Sequence, residues 1–366
     1  MKKTRKISKR VLYQAILLAA VFLLTILTVF RGQSLTELAS DIAGADKTWL
    51  LAAILCLLAY LSLQGVIIWI EFRALHLKVS LFKCMLIAYH GYFYCSITPM
   101  QSGGPAVQLV DLKKERIRFA ESSIVILLMT FFFKLVLLIA GLGMITVGLG
   151  FVAHYLLGVL PLFILGMLMT GGLSVFTGLF IFHPALARKI IEKIGSWMKK
   201  KRLFRPVFKR WPDLVERLLG TMERYHTVAG FFRSNKHTMI LLILVTALQR
   251  SMYYLSAWCS FRSLGIDLPM WLVLLLQASI SIGADTLPVP GGMGASEGMF
   301  LVLFRKLVPK DMLVPSLVVS RGVTYYGQLL ICGLVSILAK AVLGRHPAGD
   351  LEENATSVIE EQNEAL

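Results

Sequence analysis

Apolar runs long enough to cross a bilayer, about 20 residues, alternate along this chain with short stretches rich in Lys and Arg. The first run, Val11–Phe30, follows a basic start, Met1–Arg10, that holds six Lys/Arg. It is too long for the apolar stretch of a signal peptide, so an uncleaved helix with a cytoplasmic amino end is expected. Arg31–Lys47, with Glu37, Asp41 and Asp46, reads as an outer loop. A second helix is expected from about Trp49 to Phe72, with Trp49 and Trp69 as interfacial anchors. It returns to a basic inner loop carrying Arg73, Lys78 and Lys83.

The regular alternation then fails. Cys84–Thr98 is apolar but short and ends at Pro99. A Pro/Gly cluster follows, Thr98-Pro99-Met100-Gln101-Ser102-Gly103-Gly104-Pro105, and basic residues resume within Asp111–Arg118. Basic sequence on both flanks makes Cys84–Asp111 a re-entrant hairpin entering from the inner face, with its tip at Pro99–Pro105. Ser122–Val147 should cross outward and Leu156–Phe182 back. His183–His237 is a basic inner segment in which Leu214, Leu218, Met222, Tyr225 and Phe232 recur at helical spacing. It is expected to lie as an amphipathic helix on the inner leaflet or to pack on the protein's own cytoplasmic side.

Thr238–Phe261 should cross outward with Gln249 and Arg250 at its centre. After the outer loop Arg262–Pro269, the run Trp271–Leu287 ends in a second cluster, Thr286-Leu287-Pro288-Val289-Pro290-Gly291-Gly292-Met293-Gly294. Met299–Phe304 and a last span, about Pro315–Leu343, follow. That order makes the second cluster a hairpin entering from outside. Proline removes a backbone donor and glycine weakens a helix. Such breaks at membrane depth survive where the freed groups face protein or a water-filled cavity, and a matched pair in two halves points to a transporter's central site. Lys134 falls 30 residues after Gly104 and Arg321 falls 29 after Gly292, so the halves correspond. The expected fold is all-α: a polytopic membrane helical bundle with two oppositely oriented re-entrant hairpins, forming an inverted repeat. Residues 1–10 would be a cytoplasmic basic start, 11–343 the integral membrane domain with 183–237 inside it, and 344–366 an acidic disordered tail.

Composition agrees with this pattern. The 366 residues are 57% hydrophobic and 16% charged, which is unlike a soluble globular chain. The net charge of +17 sits between the apolar runs, as orientation in a membrane and attraction to anionic lipid require, so nucleic acid is not expected as a partner. The five cysteines lie singly in apolar stretches and read as small buried hydrophobes, and no metal or cofactor site is expected.

A charge at the centre of a bilayer costs about 2.5–3.5 kcal/mol on insertion scales. Lys134, Arg250, Asp285, Glu297 and Arg321 therefore each need a reason, with Asp111 and Glu71 nearer the inner edge. They could pair inside the bundle. Alternatively, the cations could neutralise a phosphate while Asp285 or Glu297 meets a cationic headgroup or a proton. Three cations against two central acids leave positive charge over, which favours an anionic ligand. In the clusters, exposed amides at a helix start attract phosphate, Gln101, Ser102 and Ser296 offer hydrogen bonds, and the glycines either admit a headgroup or serve tight packing.

No P-loop, H-E-x-x-H or C-x-x-C motif occurs, and no catalytic residue is expected. Leu287-Pro288-Val289-Pro290-Gly291-Gly292-Met293-Gly294-Ala295-Ser296-Glu297-Gly298 resembles the Pro-x-Pro-Gly-Gly-x-Gly-x-x-Glu signature of the lysylphosphatidylglycerol synthase transmembrane region family. That region is the flippase-type domain of bacterial multiple peptide resistance factors. Thr98-Pro99 with Ser102-Gly103-Gly104 resembles the family's earlier motif, and the likeness spans about residues 10–343. The resemblance implies a bacterial inner-membrane protein, both termini cytoplasmic, that moves aminoacylated or other phospholipids between leaflets and contributes to resistance to cationic antimicrobial peptides. Its substrate-binding set would be Pro99, Gln101, Ser102, Gly103, Gly104, Lys134, Arg250, Asp285, Pro288, Pro290, Gly291, Gly292, Gly294, Glu297 and Arg321. Relatives carry a soluble domain that transfers lysine from lysyl-tRNA to phosphatidylglycerol. Here an acidic tail follows instead, so lysyl transfer by this polypeptide is not expected. A lysyltransferase acting alone or with a partner's catalytic domain is the rival reading, and a non-transporting scaffold for envelope synthesis is a third. Partners implied are membrane phospholipids, a separate aminoacyl-lipid synthase or envelope enzyme, and further copies of the chain.

Overall fold

The computed structural model describes residues 40, 42–98, 101–147, 152–183, 186, 189, 235–285, 287 and 289–343. The first apolar run, nearly all of the 183–237 segment, the 344–366 tail, Pro99 and Pro288 lie outside the described residues. Among the described residues every regular element is helical.

Helix α1 (Lys47–Ala74) starts where the Asp46 carboxylate accepts from the Thr48 amide at 2.8 Å, an N-cap that satisfies one of the free donors of a first turn. Ser80 caps α2 (Leu81–Ile97) in the same way. That helix stops at Thr98, which is extended, the conformation that a following proline favours. The Thr98 hydroxyl donates to the Tyr94 carbonyl and accepts from the Gly103 amide at 2.9 Å, so one side chain closes α2 and opens α3 (Gly103–Lys114). Helices α4 (Phe119–Val147) and α5 (Leu160–Phe182) follow, the latter after a π-helical turn over Val152–Leu156 and a short 3-10 turn. Beyond the 183–237 segment come α6 (Lys236–Ser263), α7 (Met270–Ala284) and α8 (Ala295–Phe304). The last span consists of α9 (Lys310–Arg321), a π-helical turn (Gly322–Gly327) and α10 (Gln328–Val342).

Five of these stretches are long and apolar enough to cross a membrane: Lys47–Ala74, Glu121–Thr146, His154–Phe182, Lys236–Ser263 and Lys310–Ala339. Their outward faces carry exposed Leu51, Leu168, Leu330 and Ile337, the reverse of a water-soluble helix and the surface that lipid requires. Two boundaries differ from the expected ones. The last span begins at Lys310, ahead of Pro315, because a proline one and a half turns from a helix start forfeits a single bond. The span expected from Leu156 becomes regular α-helix only at Leu160, where Pro161 suits a first turn.

The bundle is built around α1 and α6, which run antiparallel. The Asp46 amide donates to the Ser263 carbonyl at 2.7 Å, Ser256 Oγ to the Ala53 carbonyl at 2.9 Å, and Gln249 Nε2 to the Tyr60 carbonyl at 3.3 Å. At the Asp46 end, Trp49 and Trp258 meet edge to face with the Arg262 guanidinium over both rings. Helices α2 and α3 fold back on one another from the Ala74 end of α1, and α7 and α8 do so from the Ser263 end of α6. Small residues permit these contacts, since lipid gives no hydrophobic drive between helices and van der Waals packing must hold them. A Cβ on Gly104 would stand 2.2 Å from Cys95 Sγ, and one on Gly166 would stand 2.0 Å from the Ile282 carbonyl oxygen. The glycines expected at the first tip thus serve the closure of α3 on α2.

Gly166→Ala should lower the thermal midpoint of the purified protein by several degrees, because backbone on α7 must move to admit the methyl. Gly143→Ala, whose Cβ would meet nothing within 4 Å, should leave it unchanged. Equal midpoints for the two variants would refute close α5–α7 packing.

Candidate functional site

The turns of the two helical pairs converge on a small polar chamber of about 70 Å³ inside the bundle. Gln101 reaches it from the first turn, Asp285 and Gly291 from the second, and Arg250 and Arg321 from the long helices α6 and α9. The sequence-predicted charges are therefore brought together from four separate parts of the chain. Lys134 lies just outside, in an adjoining groove of about 550 Å³. The groove and the chamber share Tyr92, Cys95, Gln101 and Asp285 as common walls.

The charges are held very differently from one another. Arg321 Nε pairs with Glu297 Oε1 at 2.7 Å, and its Nη2 has no partner. The other Glu297 oxygen accepts from the Gly294 amide at 2.6 Å and from Ser296 Oγ at 3.0 Å. Glu297 thus caps its own helix, α8, and aims Arg321, so it is not left free for a cationic headgroup. The start of α8, expected to attract phosphate, is occupied by the protein's own carboxylate.

Arg250 is 5% exposed and forms no ion pair among the described residues. Its guanidinium lies 3.5 Å from the centroid of Phe133 and 5.4 Å from that of Tyr60, contacts worth about 0.5–2 kcal/mol each, and its Nε has no partner. Lys134 stands 5.1 Å from the Phe133 centroid and likewise pairs with no acid. Asp285, at the end of α7, faces Lys134, Arg250 and Arg321 electrostatically but lies within ion-pair distance of none. Two rings and one distant carboxylate do not neutralise Lys134 and Arg250. The chamber and its mouth keep unspent positive charge and unpartnered donors, which an anion would satisfy.

The backbone of the second turn explains its glycines. Gly291, Gly292 and Gly294 have φ of 59°, 65° and 83°, the left-handed region open to glycine at little cost. A Cβ on Gly291 would also strike the Tyr325 ring at 2.2 Å. Pro290 lies in the same short turn, of which the backbone is described. In the first turn Gln101 itself is left-handed, φ 56°, and such strain in a non-glycine residue clusters at functional sites. Ser102 lines the groove at the entrance of α3. Gly103, Gly104, Gly292, Gly294 and Glu297 shape these turns and do not line the chamber.

Several groups in the site were not singled out from sequence. Tyr92 OH and Gln249 Nε2 both donate to Gln64 Oε1, at 3.1 and 2.7 Å, tying α1, α2 and α6 together beside the chamber. Tyr325 OH donates to the Ser96 carbonyl at 3.0 Å and Gln328 Nε2 to Ser96 Oγ at 2.9 Å. Those two bonds fasten the end of α2 to the last span. The π-helical turn between Gly322 and Gly327 carries Tyr325 to this contact immediately after Arg321, and such turns recur at functional sites. A polar residue in an apolar run was the available signal for Gln64, as it was for Gln249 at the centre of α6.

A bundle of apolar helices enclosing cationic side chains and a central polar chamber defines an integral membrane protein. The family described as lysylphosphatidylglycerol synthase TM region matches residues 12–332, and the chain belongs to it. No curated protein matches the chain at a significant level.

Breaking a buried pair by removing one partner costs about 3–5 kcal/mol, because the other charge is left uncompensated. Glu297→Gln should therefore lower the thermal midpoint clearly. The double variant Glu297→Gln with Arg321→Gln should recover part of that loss. A double variant that simply adds two losses would show that the two side chains do not interact.

Proposed function

We propose that this protein moves phospholipid between the leaflets of a bacterial cytoplasmic membrane, holding the headgroup phosphate at Lys134, Arg250 and Arg321 while the acyl chains stay in the groove. The observation that carries this reading is the junction of two unlike compartments. The chamber is polar and cationic. The groove that opens from it is walled by Met129, Phe133, Leu168, Leu173 and Phe176, of which Leu168 is 69% exposed on the lipid-facing side of α5. An amphiphile with an anionic head and apolar tails matches that pair of surfaces, and a wholly polar solute does not.

Family membership supports the headgroup class, phosphatidylglycerol or its lysyl derivative. In this reading the two folded-back helical pairs are re-entrant hairpins of an inverted repeat, and alternating exposure of the chamber carries the headgroup across. Arg73, Lys83, Lys113, Lys114, Arg116 and Arg118 all stand at the Ala74 end of α1, which would be the cytoplasmic face. A role in resistance to cationic peptides would follow from placing an aminoacylated lipid in the outer leaflet.

Purified protein in liposomes should exchange fluorescent phosphatidylglycerol and lysylphosphatidylglycerol between leaflets faster than protein-free liposomes, without ATP. Lys134 pairs with no acid among the described residues, so Lys134→Met should keep the thermal midpoint. A charge-assisted contact to phosphate is worth about 1.5–3 kcal/mol, so exchange should fall about tenfold or more. A folded Lys134→Met protein with undiminished exchange would overturn the phosphate-holding role.

A further inference from the structure

Two buried amides in the groove carry hydrogen-bonding atoms that the protein itself does not use. Gln64 of α1 and Gln108 of α3 are 6% and 4% exposed, and both line the groove. Gln64 Nε2 and Gln108 Oε1 have no partner.

The orientation of the Gln64 amide is fixed by a chain of bonds. Gln249 must present its NH2 group to the Tyr60 main-chain carbonyl, which can only accept. That same NH2 donates to Gln64, so Gln64 presents its oxygen to Gln249 and to Tyr92 OH. Its nitrogen is left as a donor with nothing to meet. Gln108 lies close by, its amide packed over Gly91, the neighbour of Tyr92. A buried amide without a partner costs about 1–3 kcal/mol, and an apolar wall of Met, Leu and Phe side chains supplies no acceptor.

We infer that Gln64 Nε2 donates to an ester carbonyl of the bound lipid, so that the site selects ester-linked glycerophospholipids. This rests on the proposed lipid-handling role and names the lipid class it takes. In a glycerophospholipid the ester carbonyls follow the phosphate after the glycerol backbone alone. With the phosphate at Lys134 and Arg250, those carbonyls enter the groove where it leaves the chamber. An ether-linked lipid with the same headgroup and chains has no carbonyl there, and a polyprenyl phosphate has none either. The phosphate site cannot tell these lipids apart, and the Gln64 amide can.

The test is native mass spectrometry of the full chain released from nanodiscs holding equal amounts of diacyl phosphatidylglycerol and its dialkyl ether analogue of matched chain length. One hydrogen bond gained or left unmade corresponds to about five- to tenfold in binding. The ester lipid should therefore be retained over the ether lipid by about that ratio. Gln64→Met should bring the ratio to one, while a Gln64→Met protein that keeps the full ratio would overturn the assignment. The wild-type ratio needs no variant to fold. Equal retention of both lipids would overturn the inference and leave the lipid-handling role standing. Retention of neither above bulk would overturn both.

Discussion

Keeping three cations inside a bundle of apolar helices is the constraint on which the rest of this structure depends. Each of Lys134, Arg250 and Arg321 costs several kcal/mol at membrane depth unless something offsets it. The protein answers in three different ways. Arg321 receives a carboxylate, Glu297, at 2.7 Å. Arg250 receives aromatic faces, with Phe133 at 3.5 Å. Lys134 receives an aromatic contact at 5.1 Å and a distant share of Asp285. The compensation weakens along that series, and the least compensated cation is the one beside the larger cavity. A bundle built only for stability would favour the first solution throughout, or apolar side chains in place of all three.

The interrupted helices follow from the same constraint. An unbroken pair of spans would put side chains at the centre of the bundle, whereas two turns put backbone and short polar groups there. The second turn needs three left-handed glycines, one of them beneath the Tyr325 ring. Glu297 then serves as both helix cap and counter-ion, joining the turn to α9. Thr98 plays the corresponding part in the first turn with a hydroxyl alone. Arg321 is therefore held by a charge that the second turn supplies, and the first turn supplies none. That difference leaves Lys134 and Arg250, the cations nearest the first turn, most open to an anion, with Arg321 offering its unpartnered Nη2.

Much of the helical pattern was legible in sequence because apolar length and charged punctuation are one-dimensional signals. Trp49–Phe72 became Lys47–Ala74 and Thr238–Phe261 became Lys236–Ser263, each boundary displaced by two residues, as at the Asp46 cap. Lys134, Arg250, Asp285 and Arg321 were legible as costly residues, and they do meet around one chamber and its mouth. The partners were not legible. That Glu297 spends both oxygens within the protein depends on the approach of α9, and that Gln64 turns its nitrogen to the groove depends on a carbonyl 189 residues from Gln249 in sequence. The π-helical turn that delivers Tyr325 left no periodic mark at all, since Gly322 and Gly327 read as ordinary small residues in an apolar span.

The sizes of the two compartments carry the argument one step further. The chamber, about 70 Å³, is small against the groove, about 550 Å³, and ligand sites ordinarily fall in the range of about 300–1,000 Å³. Of these two compartments, the groove is the one with room for a large part of a lipid. Opening the chamber between the end of α2 and the last span would mean releasing Tyr325 and Gln328 from Ser96. Those are two neutral hydrogen bonds, about 1–3 kcal/mol together, whereas removing one partner of a pair such as Glu297–Arg321 costs about 3–5 kcal/mol. At the chamber itself, the weaker polar fastening therefore lies between the end of α2 and the last span, while apolar packing of Cys84, Leu86 and Ile87 with Ala339 and Leu343 holds their other ends together.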